Sequence, residues 1–228
     1  MFVGAASLCV AAGYASAQVS QVDYGTLPGT GFETFEGFAG GSAPGTNYDN
    51  PVANASVRFG ESFVGQTVSD NGGFDVLSGL PTGPLTVATG AANQNLCIFD
   101  NGEGNVITGL GTLGYPDFNA IGEGSLVFLF TDDQAEFGFQ LVGGDGGSAF
   151  VSFYQRDGSL LETIQINGLS SAYYGFSRDG GLQDIAGVSI YTSDAAGVGL
   201  DNLRFTIPAP SMAMIAGVGA LATMRRRR

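Results

Sequence analysis

Between residues 18 and 207 no stretch of ten or more residues carries its apolar side chains at a 3.6-residue period. That removes the amphipathic helix as a building block of the body. Short apolar or alternating runs stand in its place, punctuated by Gly, Asn and Asp. The clearest cover 125–130, 136–142, 149–155, 160–166, 172–176, 185–191 and 199–206. Their starts fall roughly 10–14 residues apart, the cadence of an antiparallel sandwich or barrel. Less regular runs at 32–38, 56–64, 74–80, 84–88 and 96–99 predict further strands, and 39–51 reads as a long loop. The expected fold class is all-β. A hairpin is predicted at Gln155-Arg156-Asp157-Gly158-Ser159, because Asp-Gly supplies the positive φ that a tight turn needs. The glycine-rich stretch 141–148 runs into no helix pattern, so it reads as a turn and not as a phosphate cradle.

The chain of 228 residues contains no His and no Trp, and all eight of its cations are Arg. Without His there is no Ser-His-Asp or Cys-His catalytic set and no His-liganded zinc or haem. Without Lys there is no Schiff base and no P-loop lysine. Hydrophobic residues make up 44%, enough for a proper core in spite of 38 Gly. Most of the 17 Phe are expected there. The formal net charge is −13, and four of the eight Arg are the last four residues, so the body sets 4 Arg against 21 acids. A body of that sign repels nucleic acid and anionic lipid. Of the two cysteines, Cys9 lies in the first apolar run and Cys97 in a strand-like run, where it reads as a buried, inert thiol.

Both ends read as addresses. Residues 2–14 are almost wholly apolar or small, and Ala15-Ser16-Ala17 is a small-x-small site, so 1–17 reads as a signal peptide. At the other end come Pro208-Ala209-Pro210, then a small-residue apolar run of 14 residues from Ser211 to Met224, then Arg225-Arg226-Arg227-Arg228. About 20 apolar residues are needed to span a bilayer, so this run suits a transient sorting signal, with the arginines on the cytoplasmic side. The expected organisation is a signal peptide at 1–17, a β-domain at 18–207 and a sorting tail at 208–228.

This tail resembles the sorting signal of PEP-CTERM proteins, which Gram-negative bacteria export. Pro208, Pro210 and the cluster Arg225, Arg226, Arg227 and Arg228 carry the resemblance, with Ala209 where the family pattern has Glu. The resemblance implies an exosortase as partner, a membrane-embedded cysteine transpeptidase-like enzyme. It also implies transient engagement of the inner membrane through the tail, then delivery to the cell surface, outer envelope or extracellular matrix. The body resembles the domains found upstream of such tails, on Phe35-Glu36-Gly37-Phe38, Glu136-Phe137-Gly138-Phe139 and Gly199-Leu200-Asp201-Asn202-Leu203-Arg204-Phe205. That implies a single antiparallel β-sandwich, jelly-roll-like and akin to carbohydrate-binding modules.

Three chemistries follow as expectations. In such a fold the first and last strands can lie side by side, which would bring Glu36 to Asp201 and Asn202, where similar modules hold a structural calcium. The alternative is that Asp201 and Asn202 cap a strand or pair with Arg204. The oxygen-rich segment Asp100-Asn101-Gly102-Glu103-Gly104-Asn105 lacks the full calcium-loop pattern. A sugar-binding face would need aromatic rings, and with no Trp these fall to Tyr154, Tyr173, Tyr174 and Tyr191. A glycan hydrolase would need two carboxylates across a cleft, but Asp132, Asp133 and Glu136 read as a solvated turn. The leading expectation is a non-enzymatic exported surface or matrix protein that binds extracellular polysaccharide. A purely structural envelope or biofilm component is the alternative, with a carboxylate-dependent hydrolase behind it.

Overall fold

A computed structural model describes residues 18–207. The expected signal peptide and the sorting tail, with Pro208, Pro210 and Arg225–Arg228, lie outside the described residues. Seventeen strands run in chain order among the described residues: β1 (Val19–Val22), β2 (Gly31–Glu33), β3 (Thr46–Tyr48), β4 (Val52–Ala53), β5 (Val57–Gly60) and β6 (Thr67–Asn71). Then come β7 (Phe74–Ser78), β8 (Leu96–Asp100), β9 (Asn105–Leu110), β10 (Ile121–Gly124), β11 (Leu126–Gln134) and β12 (Glu136–Gly143). The last are β13 (Ser148–Tyr154), β14 (Leu160–Asn167), β15 (Ala172–Arg178), β16 (Ile185–Thr192) and β17 (Val198–Phe205).

The strands form an antiparallel sandwich of two sheets. The nine-stranded sheet runs β1-β15-β12-β17-β9-β8-β3, with β10 on β9 and β2 on β17. The six-stranded sheet runs β14-β13-β16-β11-β5-β4, and β6 and β7 form a separate hairpin. From β15 onward each strand lies in the opposite sheet to the one before it, so one continuous pattern of alternating side chains builds both inner faces. On β13 Ala149, Val151 and Phe153 enter the core, on β12 Phe137, Phe139 and Leu141, and on β16 Val188 and Ile190.

The core is held by a chain of phenylalanine rings. It passes from Phe35 to Phe59, Phe128, Phe137, Phe139, Phe176 and Phe153, at centroid separations of 5.4, 5.7, 5.5, 5.7, 5.9 and 5.2 Å. All seven side chains are fully buried. Edge-to-face and tilted pairs of this kind add about 0.5–1.5 kcal/mol each beyond the area they bury. Cys97 is also fully buried, and burial pushes its thiol up to about 12, so it is inert as expected.

The second half follows the sequence pattern closely, and the Asp-Gly hairpin forms. Gly158 takes φ 87° and the amide of Gln155 donates to the carbonyl of Ser159 at 2.9 Å. The first half departs from it. The strand expected over 32–38 stops at Glu33, whose carboxylate accepts from the amide of Phe35 at 2.6 Å and turns Phe35 to φ 59°. That turn is what drives the Phe35 ring into the core. The run at 84–88 gives one bridge, Phe63 to Val87, and no strand. The supposed loop 39–51 holds β3, paired to β8. Within the glycine-rich 141–148, residues 144–147 turn from β12 to β13, and an internal carboxyl group fills the turn. The Asp194 carboxylate accepts from the amides of Asp145 and Gly147 at 2.8 and 2.7 Å.

Candidate binding faces

The β6–β7 hairpin and the segment after Gly83 pack on the outward face of the six-stranded sheet through Leu77, Leu85 and Val87, together with Phe63 from the loop between β5 and β6. They cover only part of it. The rest forms a groove of about 310 Å³ over β13, β14 and β16, walled by residues 77–80 on one side and Leu160 on the other. The pleat dictates its floor. Ser152 lies opposite Thr163 and Ser189, and Phe150 opposite Tyr191, so the residues that alternate with the core ones form a polar and aromatic row.

The row is internally ordered. Ser152 Oγ and Thr163 Oγ1 are 2.8 Å apart. Gln66 Nε2 donates to the Tyr154 hydroxyl at 3.2 Å, and that hydroxyl is 3.4 Å from Ser189 Oγ. Tyr191 stacks on Phe150 at 4.8 Å and 15°. Burial, with the neighbouring Tyr154 adding to it, holds the Tyr191 phenol above its ordinary value. It is therefore a hydroxyl donor at neutral pH. Among the described residues no Asp, Glu or Arg lines this groove, although the chain carries 21 acids.

Of the four tyrosines expected to share a sugar-binding face, Tyr154 and Tyr191 thus come together. Tyr154 contributes its hydroxyl alone, because its ring is buried against Phe63 at 5.8 Å. Tyr174 is corrected: its side chain belongs to the core, beside Phe139 at 5.7 Å, and is no platform. Its neighbour Tyr173 must then point the other way and stands 54% exposed on the outward face of the nine-stranded sheet.

The sequence-predicted calcium ligands are neighbours in space. Burial raises the pKa of Asp201, and Glu36 and Glu33 raise it further. Glu33 was missed by sequence reasoning, since nothing in its pattern set it apart from other strand-end acids. The oxygens are already engaged: Glu36 accepts from the amide of Asn105 at 2.8 Å, and Asp201 accepts from the amide and side chain of Asn202 at 2.6 and 3.0 Å. A group of three His, Cys, Asp or Glu poised for a metal does not form among the described residues. Arg204 does not pair with Asp201 there; it donates to the carbonyls of Gly29 and Tyr24, each at 3.2 Å. In the 100–105 loop, Asp100 and Asn101 accept from the amides of Gly102 and Glu103, which is turn capping.

Asp132, Asp133 and Glu136 do not face one another across a cleft. Asp133 pairs with Arg156, whereas Glu136 is buried and accepts from the Thr206 hydroxyl at 2.9 Å. Glu61, Asp75 and Glu123 are buried as well, and no sequence signal marks them. Asp75 accepts from the amide of Ser125 at 3.1 Å, the Ser125 hydroxyl donates to the Glu61 carbonyl at 2.9 Å, and the Glu61 amide donates to Asn95 at 2.9 Å. Burial pushes Glu61 up to about 8, with Asp75 adding to it, Asp75 to about 6, and Glu123 to about 7. Glu61 is roofed by Gly90, where a Cβ would sit 2.4 Å from Glu61 Oε2, so this carboxyl is packed against chain and not open to a substrate. No protein-family model, curated protein or solved structure matches this chain.

Proposed function

We propose that this is a non-catalytic exported protein of the cell surface or extracellular matrix, whose sandwich binds neutral polysaccharide along the groove on its six-stranded sheet. One observation carries the reading: an uncharged row of hydroxyls, a carboxamide and a stacked ring pair in a body of strong negative charge. Sugars are recognised by that combination, with a ring covering the C–H face and short hydroxyl side chains exchanging hydrogen bonds with sugar hydroxyls. A volume of about 310 Å³ falls at the small end of ligand sites, which span about 300–1,000 Å³, and suits one sugar unit of a longer chain. The absence of lining carboxylates gives no acid or base at the place where the sugar would lie.

The test is electrophoresis through gels containing a neutral glucan, a neutral galactomannan or an anionic alginate. Retardation by a neutral polysaccharide, weakened in Tyr191→Ala, is the expected result. Equal mobility in every gel overturns the binding reading and leaves the purely structural one.

Export and sorting belong to the same proposal and rest on the two ends of the sequence, with an exosortase as processing partner. Surface-localised protein should then lack Arg225–Arg228 on intact-mass measurement, and their presence would remove the sorting step. A structural calcium is the smallest part of the proposal. The donors are all oxygen, as calcium requires, and the mutual repulsion of Glu33, Glu36 and Asp201 would be relieved by a cation. The fit is partial, because most of those oxygens already accept protein hydrogen bonds. A chelator-induced drop in melting temperature would support the ion, and an unchanged melt would remove it.

A further inference from the structure

The outward face of the nine-stranded sheet carries a second aromatic site, remote from the groove. Tyr24, Phe32 and Tyr173 border a depression of about 450 Å³ together with Asp23, Gly25 and Asn202. Phe32 and Tyr173 are 55% and 54% exposed. Exposed aromatic rings are ordinarily free to turn, but these are fixed. The Tyr24 hydroxyl donates to the Asn202 carbonyl at 2.7 Å, and its ring meets that of Tyr173 at 4.9 Å and 45°. The Arg204 guanidinium lies over the rings of Tyr24 and Phe32, 5.6 and 5.3 Å from their centroids.

The sheet beneath is cleared for this arrangement. A Cβ on Gly138 would sit 2.5 Å from Leu27 and 2.8 Å from the Tyr24 ring, and one on Gly175 would sit 2.9 Å from the Tyr24 backbone. Two glycines on neighbouring strands therefore let the Tyr24 turn lie flat on β12 and β15. At the rim, Asn202 spends its side-chain N–H groups on Gln140 and Asp201, and Asp23 takes the Gly25 amide on Oδ1. Asn202 Oδ1, Asp23 Oδ2 and the Tyr173 hydroxyl are left without a partner among the described residues, ready to accept from sugar hydroxyls.

We infer that this platform is a second subsite for a neutral sugar ring, and that the protein is a divalent cross-linker of polysaccharide chains. The inference rests on the binding reading above and extends it. The two sites face outward from opposite sheets. Sheets packed face to face lie about 10 Å apart, so with the outward side chains added the sites are on the order of 20 Å from each other across the core. A single sugar chain would have to wrap an edge of the sandwich to fill both, whereas two chains reach them directly. A second copy of this protein is disfavoured as the occupant, because a net charge of −13 opposes like-with-like docking on a face bordered by Asp23.

The experiment uses the full chain with the soluble neutral glucan or galactomannan that retards it, and reads both gel mobility and light scattering of the mixture. Wild type should be retarded and should raise scattering at sub-stoichiometric protein. Tyr173→Ala should keep its retardation within about 3-fold while losing the rise in scattering, because one site still binds but cannot bridge. Tyr191→Ala should behave alike, and the double variant should lose both. Tyr173 is an exposed ring, so its variant is expected to keep the wild-type melt, and Phe32→Ala provides a second, independent lesion.

Cross-linking by Tyr173→Ala and Phe32→Ala at the wild-type level overturns the inference while leaving the groove intact. Scattering without any polysaccharide that vanishes in Tyr173→Ala would instead make the platform a contact between copies, and also overturns it. Wild type that is retarded by no probe defeats both readings together.

Discussion

Replacing Glu61 by Gln should stabilise the protein in alkali and do almost nothing in acid. Glu61 is 5% exposed, and burial with the nearby Asp75 holds its carboxyl near 8 in place of 4.5. The folded state thus binds this proton more tightly than the unfolded chain does. The contribution of Glu61 is intact below about pH 4.5 and is lost as pH rises through 8. Each pH step in that window costs the folded state about 1.4 kcal/mol. The whole window is then worth roughly 3–5 kcal/mol, a large share of the 5–15 kcal/mol of a typical domain. Gln has the same shape, carries no proton to lose and keeps an acceptor toward the same surroundings. Asp75, Asn95 and Ser125, the groups around it, are unchanged. Thermal melts of wild type and Glu61→Gln at pH 5 and pH 9 read the effect directly. At about 2–4 °C per kcal/mol for a domain of this size, the variant should melt on the order of 10 °C higher at pH 9 and within about 2 °C at pH 5. A difference that is the same at both values would refute the protonated, buried carboxyl.

Wild type itself should lose stability between pH 5 and 8, because Asp75 near 6 and Glu123 near 7 titrate with the same sign; a flat profile in urea unfolding would contradict this. The opposite sign belongs to Asp184, whose carboxyl is held low by Arg178 through hydrogen bonds of 2.7 and 2.9 Å. Asp184→Asn should cost about 1–3 kcal/mol at pH 7, a deficit that closes as pH falls and wild type protonates too. Phe137→Ala removes a fully buried ring in contact with Phe128, Phe130 and Phe139 and should cost about 3–5 kcal/mol in denaturant unfolding. Gly109→Ala would place a Cβ 2.4 Å from the Gly124 backbone, so the β9–β10 pair must part, at about 1–3 kcal/mol in the same assay.

What could be read from the sequence is what depends on strict alternation. Strands β12, β13 and β15 carry their large apolar side chains at every second position, and the short apolar runs from β11 to β17 gave the number of strands and the hairpin. The first half resisted because its apolar residues serve other ends. Leu27, Phe35, Phe63, Leu85 and Val87 are buried from turns and irregular segments, where no period announces them. The candidate site was legible by residue type but not by face. Adjacent Tyr173 and Tyr174 must point to opposite sides of a strand, and only the partner sheet decides which side is inside. The burial of Glu61, Asp75 and Glu123 depends on distant segments closing over them, Gly90 above Glu61 among others, and no local pattern encodes such cover.

The position of β17 has a mechanical consequence. The strand that leads out of the domain at Phe205 is not an edge: it lies between β12 and β9 in the middle of the larger sheet, with β2 also paired to its last residues. Tension entering from the chain beyond Ile207 pulls β17 along its own axis, so the hydrogen bonds on both flanks bear the load in shear and at once. An edge strand under the same tension would unzip bond by bond. A domain tethered from this side and gripped by polymer on its faces would hold its shape under drag and yield abruptly, as a clamp does, with little creep beforehand.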